Sequence, residues 1–216
     1  MSYTLVIAEK PSVAQNIAAA LKVSGRKEGY IEGGGYLISW CVGHLVGLAA
    51  ADAYGEQYAK WSYDTLPILP KEWQYTVTAD KGKQFGILKE LMHRADVSEV
   101  INACDAGREG ELIFGYIYEK TGCTTPWKRV WIEDLTDEKV KYAFSHLKDS
   151  SEVLPLQMAG RARSIADWLV GCNLTIAVTK KLSSDRVLSV GRVQTPTLAM
   201  IEKREEEIRS FKPETY

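Results

Sequence analysis

Two short segments of the chain put carboxylates where a sheet would end. Glu9 closes the apolar run Leu5-Val6-Ile7-Ala8, and Asp105 closes a second run from Glu99 to Cys104. Glu109 and Glu111 follow in the same turn and at the start of the next helix. In an open parallel sheet the carboxyl ends of the strands form the ligand crevice. If the two strands are neighbours, Glu9 and Asp105 converge there, with Glu109 close enough to face the same point. Crowded carboxylates repel each other and titrate upward unless a cation sits among them. Oxygen donors without His or Cys favour a hard ion such as Mg2+ over zinc. Each piece taken alone is more often a solvated surface. The combination differs because both sit at strand ends, with Gly107 and Gly110 allowing the backbone to bend tightly.

Positioning such groups requires strands that alternate with helices. Leu5–Ala8 is short and wholly apolar, which predicts a buried strand rather than a helix. Ser12, with Gln15 after it, has the pattern of a capping box before a helix over 13–22. Gly33-Gly34-Gly35 before the run Tyr36–Val42 predicts a hairpin. Residues 48–70 carry no clear period and read as an irregular insertion. Helices are expected over 83–94 and 109–120, strands over 99–104 and 129–132, and a helix over 137–147 with Thr136 as its N-cap. This alternation predicts an α/β fold, a mainly parallel Rossmann-like sheet flanked by helices and joined by right-handed crossovers. After Asp149-Ser150-Ser151 the pattern becomes helical, over 156–181 and 197–209. A boundary is expected near residue 150, with part of a mainly helical domain beyond it. The last residues, 211–216, read as the entry to a further strand, so the chain reads as a piece of a longer one.

The composition narrows the class. With 45% hydrophobic and 25% charged residues in 216, the chain has globular composition and room for one large domain. A net charge of -1 announces no overall basic field, so nucleic-acid binding would have to come from a local patch. Cys41, Cys104, Cys123 and Cys172 are scattered without a C-x-x-C pair, which argues against a disulfide framework or a structural zinc site. No basic leader precedes an apolar segment and no run is long enough to span a membrane, so a cytoplasmic protein is expected.

The residues that carry a family resemblance are Val6-Ile7-Ala8-Glu9-Lys10-Pro11-Ser12-Val13-Ala14, Gly43-His44-Leu45 and Asp105-Ala106-Gly107-Arg108-Glu109-Gly110-Glu111. They continue with the segment from Ala162 to Gly171 and the segment from Val190 to Leu198. Together they resemble type IA DNA topoisomerases of the topoisomerase III group, with a Toprim domain over 1–150 and part of the helical DNA-binding domain over 151–216. The resemblance implies that Glu9 is the catalytic glutamate of the first strand and that Lys10 contacts the scissile phosphate. It implies that Asp105 and Glu109 complete the acidic centre and, with Glu9, hold Mg2+. Gly107 stands where the family's second aspartate would be, which favours a single ion over a pair. Arg163 and Asp167 match residues that contact the backbone of single-stranded DNA, although four-residue spacing on a helix also suits an internal ion pair. Arg192 and Gln194, in a loop before a helix, could hydrogen-bond phosphates. Whether Glu111 takes part is open, and His44 is open between a structural and a catalytic role.

In such enzymes a tyrosine attacks DNA to give a 5'-phosphotyrosine, a second strand passes, and the free 3'-hydroxyl reseals the break without ATP. No tyrosine of this chain lies in a Tyr-x-Arg-Thr/Ser context. The expected consequence is that the chain alone is inactive and that the remaining domains of the same polypeptide supply the nucleophile. Two other readings stay in view. One is a different Toprim enzyme, a primase or nuclease, against which the segment from 162 to 198 argues. The other is a nucleic-acid-binding fragment without activity of its own, gripping a strand through Lys10, Arg108, Arg163, Arg186 and Arg192.

Overall fold

The structure, a computed structural model, describes residues 2–182 and 185–213. In chain order its elements are β1 (Tyr3–Ala8), α1 (Pro11–Ala20), β2 (Gly25–Lys27), β3 (Tyr30–Gly33), β4 (Tyr36–Trp40), β5 (Val46–Leu48) and β6 (Tyr75–Val77). They continue with α2 (Gly82–Met92), β7 (Val97–Ala103), α3 (Arg108–Thr121), β8 (Trp127–Arg129), α4 (Asp137–Phe144), β9 (Lys148–Asp149), α5 (Ser150–Leu182) and α6 (Gln194–Ser210).

The main sheet has the order β2-β3-β4-β1-β7-β8-β9. Its centre, β4-β1-β7-β8, is parallel, and antiparallel strands extend both edges. The unbroken apolar run of β1 follows from its central place. Leu5 and Ile7 point to one face, packed with Leu37, Val100, Leu88 and Phe114. Val6 and Ala8 point to the other, packed with Ile38, Ile101, Ile17 and Val140. Because α2 and α3 cover the first face and α1 and α4 the second, alternation has no polar side to mark. Each fully buried Leu or Ile contributes about 1.5–3 kcal/mol, so register is fixed at both faces.

Some local expectations shift. Ser12 does not cap α1: Pro11 occupies the first turn, where its missing N–H costs nothing, and Lys10 is the N-cap. The strand expected at 129–132 lies earlier, at Trp127–Arg129, and β9 is a further edge strand. Asp149-Ser150-Ser151 opens α5 directly. The Asp149 N–H donates to Glu152 Oε1 at 2.8 Å, half of a capping box, and Pro155 lies inside the helix.

The chain forms two compact units, residues 1–48 with 75–162 and residues 49–74 with 163–216. This division differs from a single cut near 150 for a physical reason. The first turns of α5 pack on α3, where a Cβ at Gly160 would stand 2.7 Å from the Arg108 carbonyl oxygen. The second unit has its own small core of Ala51, Ile68 and Ile176. Tyr54, Trp73 and Trp168 meet edge to face at 5.3–6.1 Å beside it. The segment expected to be irregular is therefore ordered by partners more than a hundred residues away. Asn173 brackets Ile68, accepting from its N–H at 2.6 Å and donating to its carbonyl at 3.0 Å.

Candidate active site

The ends of β1 and β7 are neighbours, Ala8 pairing with Ala103, and the chain turns out of the sheet just beyond both. That places Glu9 and Asp105 side by side. The Asp105 N–H donates to Glu9 Oε2 at 3.3 Å. Lys10 Nζ lies 2.9 Å from Asp105 Oδ2 and 3.7 Å from Glu9 Oε1, joining the two carboxylates. Asp105 holds the Lys10 ammonium above the usual lysine range by hydrogen bond and charge, with Glu9 adding to it. Glu9 is largely covered at 12% side-chain exposure, whereas Lys10 and Asp105 are half exposed. A covered carboxylate beside an accessible cation is suited to proton transfer next to a bound anion.

Beneath this surface lies a buried polar network that sequence reasoning did not find as a unit. Glu111 and Arg129 are both wholly buried, with Arg129 Nε 2.5 Å from Glu111 Oε1. Asn102 Nδ2 donates to Glu111 Oε2 at 2.9 Å, and Asn102 Oδ1 accepts from the Cys104 N–H at 3.0 Å. Arg129 also donates to the carbonyls of Asn102, Val130 and Asp105, the last at 2.9 Å. The backbone carrying Asp105 is thus gripped from below. Burial pushes the Glu111 carboxyl up, with Arg129 and Asn102 opposing it. Glu111 thus lies wholly buried under the loop, paired with Arg129 and Asn102, and not at the exposed surface with Lys10 and Asp105. Gly110 completes the support, because a Cβ there would stand 2.1 Å from the Asp105 carbonyl oxygen. Only a glycine lets the first turn of α3 close over the loop.

Glu109, on the exposed side of the same turn, contacts a different partner. His44 Nε2 lies 2.8 Å from Glu109 Oε1. The expected gathering of Glu9, Asp105 and Glu109 therefore takes the form of two contacts, Glu9–Lys10–Asp105 and Glu109–His44. Among the described residues no three His, Cys, Asp or Glu side chains form a ready metal cage. The donor chemistry still suits Mg2+, which commonly takes one or two carboxylates and completes its shell with water and substrate phosphate. A Cβ at Gly107 would meet nothing within 4 Å. Arg108 is exposed at the start of α3.

In the second unit Asp167 joins two of the expected DNA contacts. Arg192 Nη1 lies 2.7 Å from Asp167 Oδ1, and Arg163 Nε lies 3.7 Å from Asp167 Oδ2. Gln194 begins α6, and with Asp167, Arg192 and Gly171 it lines a groove of about 670 Å3. The internal ion pair that the spacing allowed is present, and its aspartate serves a second arginine as well.

Strand-end carboxylates, a bridging lysine and a buried brace on a mixed α/β sheet define a class. Residues 4–135 match the family described as Toprim domain, and the chain belongs to that family. Residues 153–216 match the model described as DNA topoisomerase. The chain is 47% identical to DNA topoisomerase 3 of Bacillus licheniformis and 45% identical to DNA topoisomerase 3 of Bacillus subtilis. Each alignment covers all of this chain and 29% of the relative, so the chain spans less than a third of their length. The structure resembles full-length topoisomerase I from Thermotoga maritima, with a TM-score of 0.66 and 25% identity over 98% of this chain and 32% of that one. These matches bear out the resemblance to the topoisomerase III group drawn from the motifs.

Among the described residues no helix is long and apolar enough to cross a membrane.

Proposed function

We propose that this chain is the Toprim-bearing part of a type IA topoisomerase that cleaves, passes and reseals single DNA strands in the cytoplasm. On this reading residues 1–150 are the catalytic Toprim domain and 151–216 begin the helical DNA-binding domain. The observation that carries it is Lys10 bridging Glu9 and Asp105 at the ends of adjacent parallel strands. Each step of such a reaction is an in-line displacement at phosphorus, for which positioning and charge stabilisation matter most.

An incoming DNA phosphate offers Lys10 an anion to take in exchange for Asp105. Its ammonium then stabilises the phosphoryl oxygens as charge develops on them. Glu9, held by the Asp105 N–H, would relay to the departing 3'-oxygen the proton that the attacking tyrosine hydroxyl releases, and return it in resealing. Mg2+, when bound by Asp105 and Glu109 with Glu9 nearby, would neutralise phosphate charge and orient the group for rejoining. Arg108 in the first unit, and Arg163, Arg192 and Gln194 in the second, would hold single-stranded backbone, with Asp167 orienting the two guanidiniums. The nucleophilic tyrosine belongs to the remaining domains of the same polypeptide.

The test is single-turnover cleavage of a labelled oligonucleotide by the full-length enzyme, beside a binding titration at the same salt. Lys10→Ala is expected to slow cleavage by about two to three powers of ten. It should weaken strand binding only modestly and lower the salt slope by about one unit. Arg163→Ala should lose mainly binding. Cleavage by Lys10→Ala at the wild-type rate under saturating DNA would remove Lys10 from the reacting phosphate.

A further inference from the structure

The His44–Glu109 contact rests on a bracing system that none of the motifs includes. Segment 78–84, entering α2, sends three side chains to carbonyls at and beyond the end of β4. Gln84 Nε2 donates to Trp40 O at 2.8 Å. Lys81 Nζ donates to Val42 O at 2.7 Å and to His44 O at 3.0 Å, and Thr78 Oγ1 donates to His44 O at 3.2 Å. The backbone adds Thr78 N–H to Leu45 O at 2.9 Å. Gly43 takes the left-handed conformation with φ 64°, which lets the chain double back so that Val42 O and His44 O meet the same ammonium. On its other side the loop is tied to β1, with the Cys41 N–H donating to Ala8 O at 2.7 Å and the Gly43 N–H to Glu9 O at 3.4 Å. His44 is thus an exposed side chain on a backbone held from both directions, and the partner it reaches is a carboxylate of the acidic centre.

We propose that His44, braced by Lys81, is a positioning residue that fixes the Glu109 carboxylate for divalent-cation binding. The inference rests on the placement of Mg2+ at Asp105 and Glu109 given above. A carboxylate on the first turn of a helix samples several rotamers, and two carboxylates with water make a weak site unless their directions are set in advance. A backbone-anchored imidazole whose Nε2 lies 2.8 Å from one carboxylate oxygen sets Glu109 without adding a ligand. This is the task that outer partners perform at metal sites, where their loss typically lowers metal affinity about 10- to 100-fold. Lys81 acts one step further out, through two carbonyls rather than through the carboxylate. Its clamp calls for a long cationic side chain, and Lys81→Arg retains one.

The experiment is a Mn2+ titration of the chain, read by loss of the free-ion paramagnetic resonance signal, with Mg2+ competition to show a shared site. His44→Ala is expected to weaken Mn2+ binding about 10- to 100-fold. Lys81→Ala should weaken it in the same direction by less, and Lys81→Arg should recover most of that loss. Thermal unfolding of each variant reports folding, and His44→Asn, a smaller change in the same loop, replaces His44→Ala if the latter does not fold. Glu109→Gln separates the two levels of the argument. If Glu109→Gln binds Mn2+ weakly while the folded His44 variant binds as wild type, His44 does not position the carboxylate. If Glu109→Gln itself binds as wild type, the cation does not use Glu109, and both the placement of the metal and the role of His44 fall. A Lys81→Arg variant as weak as Lys81→Ala would remove Lys81 from the system.

Discussion

Glu111 and Arg129 hold opposite charges out of water directly under the loop that carries Asp105. Truncating one partner of such a pair leaves the other buried and uncompensated, which costs about 3–5 kcal/mol. Glu111→Ala should therefore lower the urea midpoint sharply, and an unchanged midpoint would show that the pair contributes little. The pH dependence has a definite sign. Burial raises the folded-state pKa of Glu111 above its unfolded value, so the folded chain binds more protons between the two. The stability tied to this group is present below about pH 4.3, the ordinary glutamate value, and is lost as pH rises through the raised pKa. Glu111→Gln, having nothing to titrate, should be less stable than wild type but show a flatter pH dependence over that window. The juxtaposition of Glu9 and Asp105 was legible in the sequence because each closes an apolar run, and those runs become adjacent parallel strands. The triad of Asn102, Glu111 and Arg129 was not, because its members lie on three different elements and nothing local marks them as partners. Lys81 escaped for the same reason, since a lysine before a helix looks like any solvated one.

Two helical glycines show how differently an element can answer the same change. Gly86 sits within α2 with nothing inside 4 Å of where a Cβ would be, so Gly86→Ala meets no obstacle. It should stabilise the chain by about 0.5–1 kcal/mol through helix propensity. Gly110, in the first turn of α3, has the Asp105 carbonyl in the place of a Cβ, so Gly110→Ala must displace the backbone. It should destabilise by about 1–3 kcal/mol as an overpacking change, and thermal unfolding of the two variants should shift in opposite directions. Equal shifts would mean that α3 and its loop yield more freely than this packing implies. At this scale the sequence was most readable where burial alone decides. The run in β1 and the triple-glycine hairpin were evident, but cap residues were not. Pro11 displaced Ser12 from the cap because a proline fits the first turn with no backbone donor to lose. The start of α5 at Ser150 was hidden by a polar triplet that looks equally like a turn.

Over the whole molecule the two-unit division was the least legible feature. Nothing in residues 49–74 announces that Ala51 and Ile68 find their core with Ile176, because that information lies in the later segment as much as in this one. The absent tyrosine motif is legible and has a consequence: purified chain should neither relax supercoiled DNA nor form a covalent adduct, with or without Mg2+. A denaturation-resistant protein–DNA complex formed by the chain alone would overturn that expectation and the proposed source of the nucleophile with it.

The second unit also sets an order of events during synthesis. Ile68 is bracketed by Asn173, which follows it by 105 residues. At ribosomal speeds of about 5–20 residues per second, it leaves on the order of 5–20 seconds before its partner. Throughout that interval Tyr54, Ile68 and Trp73 have no Trp168 or Asn173 to cover them. A nascent chain paused between residues 75 and 162 would therefore present this excursion to chaperones and proteases, and translation past α5 would close it.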